Sequence, residues 1–379
     1  MKILHVADTH LGYSAYRKST EEGVNQREMD VYNAFEQFVD YAVDVKPDLI
    51  IHAGDLFDSV RPNNRAITFS LKQLLRVSKA GIPLVMISGN HEHPKLKETG
   101  HIFSIFDHLE NVYPIYNGKY EKLSFDIGRK KLLVHCIPQC TSKKEFSTEL
   151  KKLKPDSNVD YNIFVAHGAV TGIQVFSMSE FNELIIPTQI LSRKFDYIAL
   201  GHFHGFTKLA DNAFYSGSTE SFTFNDAGDK KGFIEFELSE KNLKHNFVQV
   251  LSRPMIDVKP IICSNLKLDE IMKKIKERVQ EIDPKDKTFR IILDDIPAHV
   301  YRGLDLSEIR KLSKDAIYYE LKAEIIKDGE MKTLTTSRID ALANEFKNFV
   351  KNQNIDEKKT ILELGLGYIE KIEARDEGK

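Results

Sequence analysis

The sequence has few cysteines, no long apolar run and almost no excess charge, and each absence excludes a class of protein. Its three cysteines, Cys136, Cys140 and Cys263, are an odd and sparse set, which argues against a disulfide framework and for a reducing compartment. No stretch reaches the ~18 apolar residues that a membrane span needs, and the amino terminus lacks the pattern of a secretion signal. We therefore expect a protein without a membrane partner in the cytoplasm of a prokaryotic cell, although the same features also allow a nuclear location.

Basic and acidic residues nearly cancel, with 54 lysines and arginines against 56 aspartates and glutamates, so the formal net charge is −2. If the partner is nucleic acid, its basic residues must be grouped locally. The chain of 379 residues with 41% hydrophobic residues is longer than one core usually fills, which predicts more than one domain.

Residues 1–240 alternate short apolar runs with amphipathic helical patterns, and this alternation is typical of an α/β domain. Runs such as 49–51 and 84–87 are apolar without alternation, as expected for strands that are covered on both faces. The predicted strands are 3–7, 49–52, 84–87, 132–136, 163–166 and 197–200. The helices should cover the faces of the sheet.

Two further units follow. Residues 245–328 read as a small α+β module with strands at 246–250, 256–263, 289–293 and 316–326 and helices at 268–282 and 306–312. This module is expected to cap the first domain. After a linker at 329–336, residues 337–374 carry two apolar stripes at helical spacing, which predict a helix pair that docks on another structure. The stripes include Ile339, Leu342, Phe346, Phe349, Leu364, Tyr368 and Ile372.

Polar clusters follow five of the predicted strands. They are Asp8-Thr9-His10, Gly54-Asp55, Gly89-Asn90-His91-Glu92, His167 and Gly201-His202-Phe203-His204. Open α/β sheets place their ligand sites at the carboxyl ends of strands. Side chains at i and i+2 of a strand point the same way, so Asp8 and His10 are expected to meet one ion. A glycine precedes several of these residues, as expected for turns that few side chains permit.

Together the clusters offer two carboxylates, one amide and four imidazoles, and no thiolate. This set suits divalent manganese, iron or zinc. Seven ligands are too many for one catalytic ion, but they suit two ions about 3.5–4 Å apart that hydrolyse a phosphate ester. Asp55 is the expected bridge. The predicted ligands are Asp8, His10, Asp55, Asn90, His167, His202 and His204.

His91 lies beside a predicted ligand and is expected to point away from the ion of Asn90. A protonated imidazole in that place offsets charge on a phosphate oxygen or on the leaving oxygen, and it can donate a proton. We therefore predict that His91 is a catalytic residue.

These motifs resemble those of the calcineurin-like metallophosphoesterase superfamily, whose pattern runs DxH, GD, GNH[DE], H and GHxH. The opening HVADTHLG, the box GDLFD followed by Arg61-Pro62, and the cap with its helix pair resemble the double-strand-break repair nuclease subunits of the MRN and SbcCD complexes. The resemblance implies two facing mixed β-sheets flanked by helices in a four-layer sandwich. It also implies exonuclease activity on double-stranded DNA ends and endonuclease activity on single strands.

The same resemblance implies two manganese ions, a homodimer and a coiled-coil ATPase partner bound through residues 337–374. It assigns Asp8, His10, Asp55 and His204 to one ion, and Asp55, Asn90, His167 and His202 to the other. One departure is Asp58, where many eukaryotic and archaeal members carry histidine. Asp58 either orients His91 by a hydrogen bond or caps a helix.

The sequence also offers candidate residues for contacts with DNA and with a second copy of the chain. Mixed aromatic and basic loops beside the first two clusters can engage DNA phosphates without reading sequence; they contain Tyr13, Arg17, Lys18, Arg61, Asn64 and Arg65. The stretch 102–109 is either a dimer interface or core; its apolar residues are Ile102, Phe103, Ile105, Phe106 and Leu109.

Two other functions remain open. A phosphatase or phosphodiesterase for nucleotides, proteins or other small substrates would use the same metals, although the box GDLFDSV lacks the Arg-Gly that protein phosphatases carry after the aspartate. A scaffold that binds DNA and the ATPase without catalysis would have no need of His91.

Overall fold

The computed structural model describes residues 1–171, 183–239 and 243–326, and in addition Phe346, Val350, Lys359, Ile361, Leu362 and 364–366. Its strands are β1 (Lys2–Val6), β2 (Leu49–His52), β3 (Leu84–Ile87), β4 (Val112–Ile115), β5 (Glu121–Ile127), β6 (Lys130–Ile137), β7 (Tyr161–His167), β8 (Ala169–Val170), β9 (Ile185–Ile186), β10 (Tyr197–Gly201), β11 (Thr207–Ala210), β12 (Ala213–Tyr215), β13 (Gly232–Leu238), β14 (Leu243–Gln249), β15 (Met255–Asp257), β16 (Ile261–Ile262), β17 (Thr288–Pro297) and β18 (Tyr318–Ile326). Its helices are α1 (Gln26–Val45), α2 (Asn64–Lys79), α3 (Lys143–Lys152), α4 (Leu268–Ile282), α5 (Ala298–Arg302) and α6 (Leu306–Leu312). Short 3-10 helices lie at Lys97–Thr99, Ile102–Phe106, Thr188–Ile190 and Phe224–Asp226.

Two six-stranded sheets form the first domain. The first has the strand order β14-β13-β1-β2-β3-β4, and the second has the order β11-β12-β10-β7-β6-β5. Within each sheet the central strands are parallel, whereas β13 and β14 in the first sheet and β5 and β11 in the second are antiparallel to their neighbours. Both sheets are therefore mixed, as expected.

The sheets face one another across a buried core and carry helices on their outer faces. Strand residues from both sheets, among them Ile51 and Val165, share one apolar cluster between them. Apolar side chains of α1 and α2 pack on the outer face of the first sheet, and those of α3 pack on the outer face of the second. This confirms the predicted four-layer sandwich. Every residue of β2 and β3 is buried, which explains why these strands show no alternation.

The second unit is built on β17, which pairs in parallel with β15 and β16 and, along its other edge, with β18. The amphipathic helix α4 packs its apolar stripe on this sheet. The sequence analysis placed a strand at 246–250 in this unit, and that assignment is wrong. The strand is β14, which pairs along its whole length with β13 of the first sheet, so the first domain extends to about residue 250.

Aromatic and ionic contacts join the second unit to the first. The ring of Tyr16, in the loop after β1, stacks on Tyr318 of β18 at 3.9 Å. Arg253 donates to Asp30 of α1 and to the backbone oxygen of Asp286 in the second unit. The expected cap therefore contacts the loops beside the first polar cluster.

The carboxyl-terminal helix pair is described only in part. Phe346 and Val350 in the first predicted helix, and 361–362 and 364–366 in the second, are helical. A Cβ on Gly365 would lie 2.2 Å from the ring of Phe346, so the two positions are in contact. Leu364 is exposed. Ile339, Leu342, Phe349, Tyr368 and Ile372, and the predicted linker 329–336, lie outside the described residues.

Candidate metal centre

The predicted ligands meet at the carboxyl-terminal edge that the two sheets share. Asp8 and His10 follow β1, Asp55 follows β2 and Asn90 follows β3 in the first sheet. His167 ends β7, while His202 and His204 follow β10 in the second. Backbone hydrogen bonds tie the first two loops together, for example from the amide of Asp8 to the oxygen of Gly54 at 3.0 Å. The backbone amide of His202 donates to both carboxylate oxygens of Asp8 at 3.0 Å, which joins the two sheets at the site.

The reason why Asp8 and His10 converge differs from the one predicted. Neither lies in a strand, since β1 ends at Val6. Both have a left-handed backbone, with φ of 53° and 44°, and Asp55 has a φ of 54°. Non-glycine residues adopt this conformation at a cost, and they do so most often at functional sites. A strained loop rather than strand alternation therefore directs these side chains inward.

The glycines beside the ligands also have two different roles. Gly54 has a φ of +101°, as a turn that disfavours side chains requires. Gly89 and Gly201 do not have a positive φ, so the predicted reason is wrong for them. A Cβ on Gly89 would lie 2.1 Å from the carboxylate oxygen Oδ1 of Asp55, and one on Gly201 would lie 2.2 Å from the backbone oxygen of Ala53. These two positions need glycine because the site packs directly against their backbone.

Side-chain distances define three overlapping groups that could hold a metal ion. Potential ligand atoms lie within 4.8 Å of one another in the groups Asp8, His10 and His204; Asp8, Asp55 and His167; and His10, Asp55 and His91. The Oδ2 atom of Asp55 lies 3.8 Å from Nε2 of His10 and 3.2 Å from Nε2 of His167. This central position is the one that a bridging carboxylate needs.

The amide of Asn90 and the ring of His202 lie beside His167. The Nε2 atom of His167 lies 3.0 Å from Oδ1 of Asn90, and its ring is 5.4 Å from that of His202. In this structure Nε2 of His202 contacts the carboxylate of Glu183 at 3.0 Å. The sequence analysis missed Glu183, because it lies in no motif and nothing in its local sequence marks it.

The electrostatics of the cluster fit a divalent cation. Burial opposes charge on both groups, yet the Asp55 carboxylate raises the pKa of His167 to about 9, and the imidazoles around Asp55 lower the pKa of that carboxyl well below its usual range. Within the described part of the chain, neither ring nitrogen of buried His10 has a hydrogen-bond partner. Buried polar groups of this kind are unusual without a ligand, and the donor set of oxygen and imidazole nitrogen suits manganese, iron or zinc.

His91 lies at the open side of this cluster. Its side chain is 32% exposed, its ring packs edge-on against that of His10 at 4.6 Å, and its backbone amide donates to Oδ1 of Asp55 at 3.0 Å. The Nδ1 atom lies 3.0 Å from the backbone oxygen of Asp58, so Nε2 is the ring nitrogen on the side away from that contact. The role of His91 as the catalytic acid stays a prediction.

Asp58 contacts both histidines at this edge. Its carboxylate oxygen Oδ1 lies 3.3 Å from Nδ1 of His10 and 3.9 Å from Nδ1 of His91, while its backbone oxygen is the closer contact to His91. The alternative that Asp58 caps a helix is wrong, because the amino-terminal cap of α2 is Asn63.

The candidate DNA-binding residues differ in how exposed they are. Arg17, Lys18, Arg61 and Asn64 are exposed. The hydroxyl of Tyr13 donates to the backbone oxygen of Phe222 at 2.9 Å, so Tyr13 belongs to the wall of the site. That wall includes Phe222 itself, whose ring packs against His10 and His204. Arg65 is exposed as well, with 51% of its side chain accessible, and its guanidinium lies 3.2 Å from the nearly buried carboxylate of Glu28.

The candidate dimer stretch is partly core. Phe103 and Phe106 are completely buried in the cluster under α2, so for these two residues the core alternative is confirmed and the interface alternative is wrong. They project inward from a short 3-10 helix at 102–106. Ile102, Ile105 and Leu109 are only partly buried.

Comparisons with known proteins agree with this geometry. The family model of the calcineurin-like phosphoesterases matches residues 1–206. The DNA double-strand break repair protein Mre11 of Methanococcus maripaludis is 28% identical over 372 residues, which cover 94% of this chain and 92% of that protein. The Mre11 protein of Sulfurisphaera tokodaii is 25% identical, with coverage of 87% and 82%. That of Saccharolobus solfataricus is 35% identical over 204 residues, with coverage of 54% and 49%.

Among solved structures, a dimetal phosphatase from Danio rerio covers 65% of this chain and 95% of its own, with a TM-score of 0.37 and 9% identity. In the described part of the chain, no helix has the length and apolar character to cross a membrane. The family model spans more than half of the chain and reaches from the first aspartate of the centre to its last histidine. The chain belongs to the calcineurin-like phosphoesterase family, whose members are metal-dependent phosphoesterases.

Proposed function

We propose that this protein is a two-metal DNA nuclease that processes double-strand breaks, as an exonuclease on duplex ends and an endonuclease on single strands. One combination carries the proposal: clusters of aspartate and histidine that could hold metal ions lie within a chain that resembles Mre11 proteins over almost its whole length. The second unit and the helical segment after it fall within that resemblance, which a family of small-substrate phosphatases would not require. We expect the protein to act in the cytoplasm of a prokaryotic cell, where its DNA substrate would lie.

Two divalent ions, most simply manganese, would be held by seven side chains of this centre. Asp8, His10, Asp55 and His204 would hold one ion. Asp55 would also hold the second, together with Asn90, His167 and His202. When bound, the ions would supply Lewis-acid activation of the phosphate ester and of water.

His91 would supply the proton for the leaving oxygen, and Asp58 would orient the ring of His91. Water adds to phosphorus and releases a proton to the solvent, and the bond from phosphorus to the leaving oxygen breaks. The imidazolium of His91 donates the proton on Nε2 to that oxygen and becomes neutral, with Nδ1 still protonated. The contact between Nδ1 of His91 and the backbone oxygen of Asp58 at 3.0 Å holds the ring with Nε2 toward the substrate. Asp58 is thus a positioning residue for His91, and His91 is the catalytic acid.

The exposed residues around the centre suit a phosphate backbone. Arg17 and Lys18 follow the first metal loop, and Arg61 and Asn64 follow the second. Because such contacts are electrostatic, they bind DNA without reading its sequence and weaken as salt is added. Tyr13 would support the first loop through its hydrogen bond to Phe222 more than it contacts DNA, whereas the exposed Arg65 could contact a phosphate beside Arg61.

Two protein partners complete the proposal. The partly buried Ile102, Ile105 and Leu109 beside α2 offer apolar surface for a homodimer. The exposed Leu364, with the apolar stripes predicted along 337–374, suits a helical surface of a coiled-coil ATPase.

The test is cleavage of end-labelled duplex DNA and circular single-stranded DNA with added manganese, with a phosphomonoester assayed in parallel. Asp55→Ala and His91→Ala should both abolish metal-dependent DNA cleavage. His299→Ala, at an exposed histidine of α5 outside the ligand set, is the matched control and should cut as the wild type does. Hydrolysis of the phosphomonoester without any DNA cleavage would instead identify a phosphatase. Bound metal without hydrolysis of either substrate would identify a scaffold.

A further inference from the structure

A completely buried lysine lies behind one of the proposed metal ligands. Lys231 has no exposed surface, and its ammonium donates to the backbone oxygen of His204 at 2.9 Å. It also lies 3.6 Å from a carboxylate oxygen of Asp226 and 3.6 Å from one of Asp229. Burial of an ammonium is strongly unfavourable unless the group is paired and hydrogen-bonded. Lys231 therefore holds the carboxylate of Asp226 and the backbone oxygen of His204 in place.

Asp226 is the group that connects this lysine to the ring of His204. Its Oδ2 atom accepts hydrogen bonds from the backbone amides of Phe222 at 2.9 Å and Thr223 at 2.8 Å. The bond from Thr223 belongs to the capping box of the 3-10 helix Phe224–Asp226, and together the two bonds fix the direction of the carboxylate. The other oxygen, Oδ1, is left to face Lys231 and, at 3.6 Å, the Nδ1 atom of His204.

Lys231 and Ser218 together hold the backbone of His204. Its carbonyl oxygen accepts from the backbone amide of Ser218 at 3.0 Å as well as from Lys231. Gly217 permits this approach, because a Cβ there would lie 3.0 Å from that oxygen and its φ is +74°. The ring of His204 packs edge-on against Phe222 at 5.0 Å and His10 at 5.2 Å, which limits its movement.

His167, another predicted ligand, also has an oxygen partner near its Nδ1 atom. The Nδ1 atom of His167 contacts the backbone oxygen of Ala53 at 2.9 Å, while its Nε2 atom faces Asn90 and Asp55. An oxygen partner at one ring nitrogen fixes the tautomer and presents the other nitrogen's lone pair. The contact of His204 with Asp226 closes to hydrogen-bond distance with a ring movement of about 0.6 Å.

We propose that Asp226, itself held by Lys231, is a positioning residue that keeps His204 in the tautomer with Nδ1 protonated and Nε2 directed at the metal. This inference rests on the proposed two-metal centre. It assigns a function to two residues that lie 22 and 27 positions beyond the last metal motif and that no pattern in the sequence marks.

The test compares Asp226→Asn with the control Asp229→Asn in the full-length protein. The asparagine of Asp226→Asn would keep a carbonyl oxygen for the amides of Phe222 and Thr223, so the loop is expected to fold. Its amide group would then face Nδ1 of His204 as a donor, which favours the opposite tautomer and protonates the nitrogen that should bind metal. Asp229 also contacts Lys231 but is half exposed, and among the contacts of the described residues none joins it to the ring of His204.

Metal-free protein is titrated with Mn²⁺ by calorimetry, and the zinc-loaded protein is examined by long-range ¹H–¹⁵N spectra of its histidine rings. Wild type and Asp229→Asn should bind two ions. Asp226→Asn should bind one of the two about 10 to 100 times more weakly, and the tautomer signal of one histidine should change. Asp226→Glu, which restores the carboxylate, should recover part of the affinity.

Two results would overturn the inference. The first is wild-type affinity for both ions in Asp226→Asn, with unchanged histidine tautomers. The second is an equal loss of affinity in Asp229→Asn, which would mean that the charge near Lys231 matters and the contact with the ring does not. A wild-type protein that binds no Mn²⁺ would refute the proposed two-metal centre itself, so the two failures are distinguishable. Unfolding midpoints of all variants show whether any loss of binding reflects a loss of fold.

Discussion

The substitution Gly89→Ala should abolish activity while leaving the protein folded. A Cβ at this position would lie 2.1 Å from Oδ1 of Asp55, 2.5 Å from its backbone nitrogen and 2.7 Å from Cγ, whereas real Cβ contacts are essentially never shorter than 3.0 Å. The carboxylate of Asp55 must therefore move by roughly 0.9 Å or more. A displacement of about 1 Å at a reacting centre costs about 10²-fold in rate, and here it affects the expected bridge between both ions.

The expected cost to stability is smaller than the cost to function. Overpacking of a tight site destabilises a protein by about 1–3 kcal/mol, and Gly89 has no positive φ that would add backbone strain. Gly81→Ala is the matched control. Gly81 has a φ of +73° with open space around it, so alanine there should cost about 1–2 kcal/mol of stability without touching the site.

The assay is manganese-dependent cleavage of end-labelled DNA, paired with thermal unfolding and a Mn²⁺ titration for each variant. Gly89→Ala should lose at least about 10²-fold in turnover and bind manganese more weakly, whereas Gly81→Ala should cut DNA at the wild-type rate despite its lower stability. Wild-type turnover in Gly89→Ala would refute the reasoning, because it would mean that Asp55 does not occupy a position that the ions require.

Three further predictions follow from the same geometry. His91→Ala should bind two manganese ions as tightly as wild type but lose about 10²- to 10⁴-fold in turnover. A manganese titration and a cleavage assay on the same sample would test both parts. Retained turnover would exclude the role of His91 as the acid. Manganese at 100 times its dissociation constant should raise the free energy of unfolding by about 2.7 kcal/mol for each bound ion, and Asp55→Ala should abolish most of that gain in denaturant unfolding. Burial lowers the pKa of His5 to about 3, so the unfolded chain binds a proton below about pH 6.5 that the folded chain does not. Above about pH 6.5 this proton uptake does not affect the free energy of unfolding. As the pH falls from there toward 3, proton binding to the unfolded chain lowers the free energy of unfolding, by about 2 kcal/mol at pH 5. His5→Asn should accordingly reduce the difference in unfolding free energy between about pH 7.5 and pH 5, and an unchanged difference would contradict the assignment.

The sequence determined the local elements and the chemistry of the site. Strands β2 and β3 and helices α4 and α6 begin and end where the apolar patterns predicted, because burial on both faces and helical spacing are properties of adjacent residues. The ligand types were also readable, since aspartate, asparagine and histidine in short motifs after strands specify a metal of borderline hardness. These features need no knowledge of which strands are neighbours.

The tertiary structure decided what depends on contacts between distant residues. It placed β14 in the first sheet, buried Phe103 and Phe106, and brought Asp226 beside His204. The hydrogen bonds from the amide of His202 to Asp8 join residues 194 positions apart, and no local pattern encodes such a pairing. The left-handed backbone of Asp8 and His10 was likewise invisible, because a residue adopts that conformation only when the surrounding packing offsets its cost. Local periodicity therefore specified which elements form and which side chains could bind metal, whereas packing between the two sheets decided their positions, their partners and the space that each glycine leaves free.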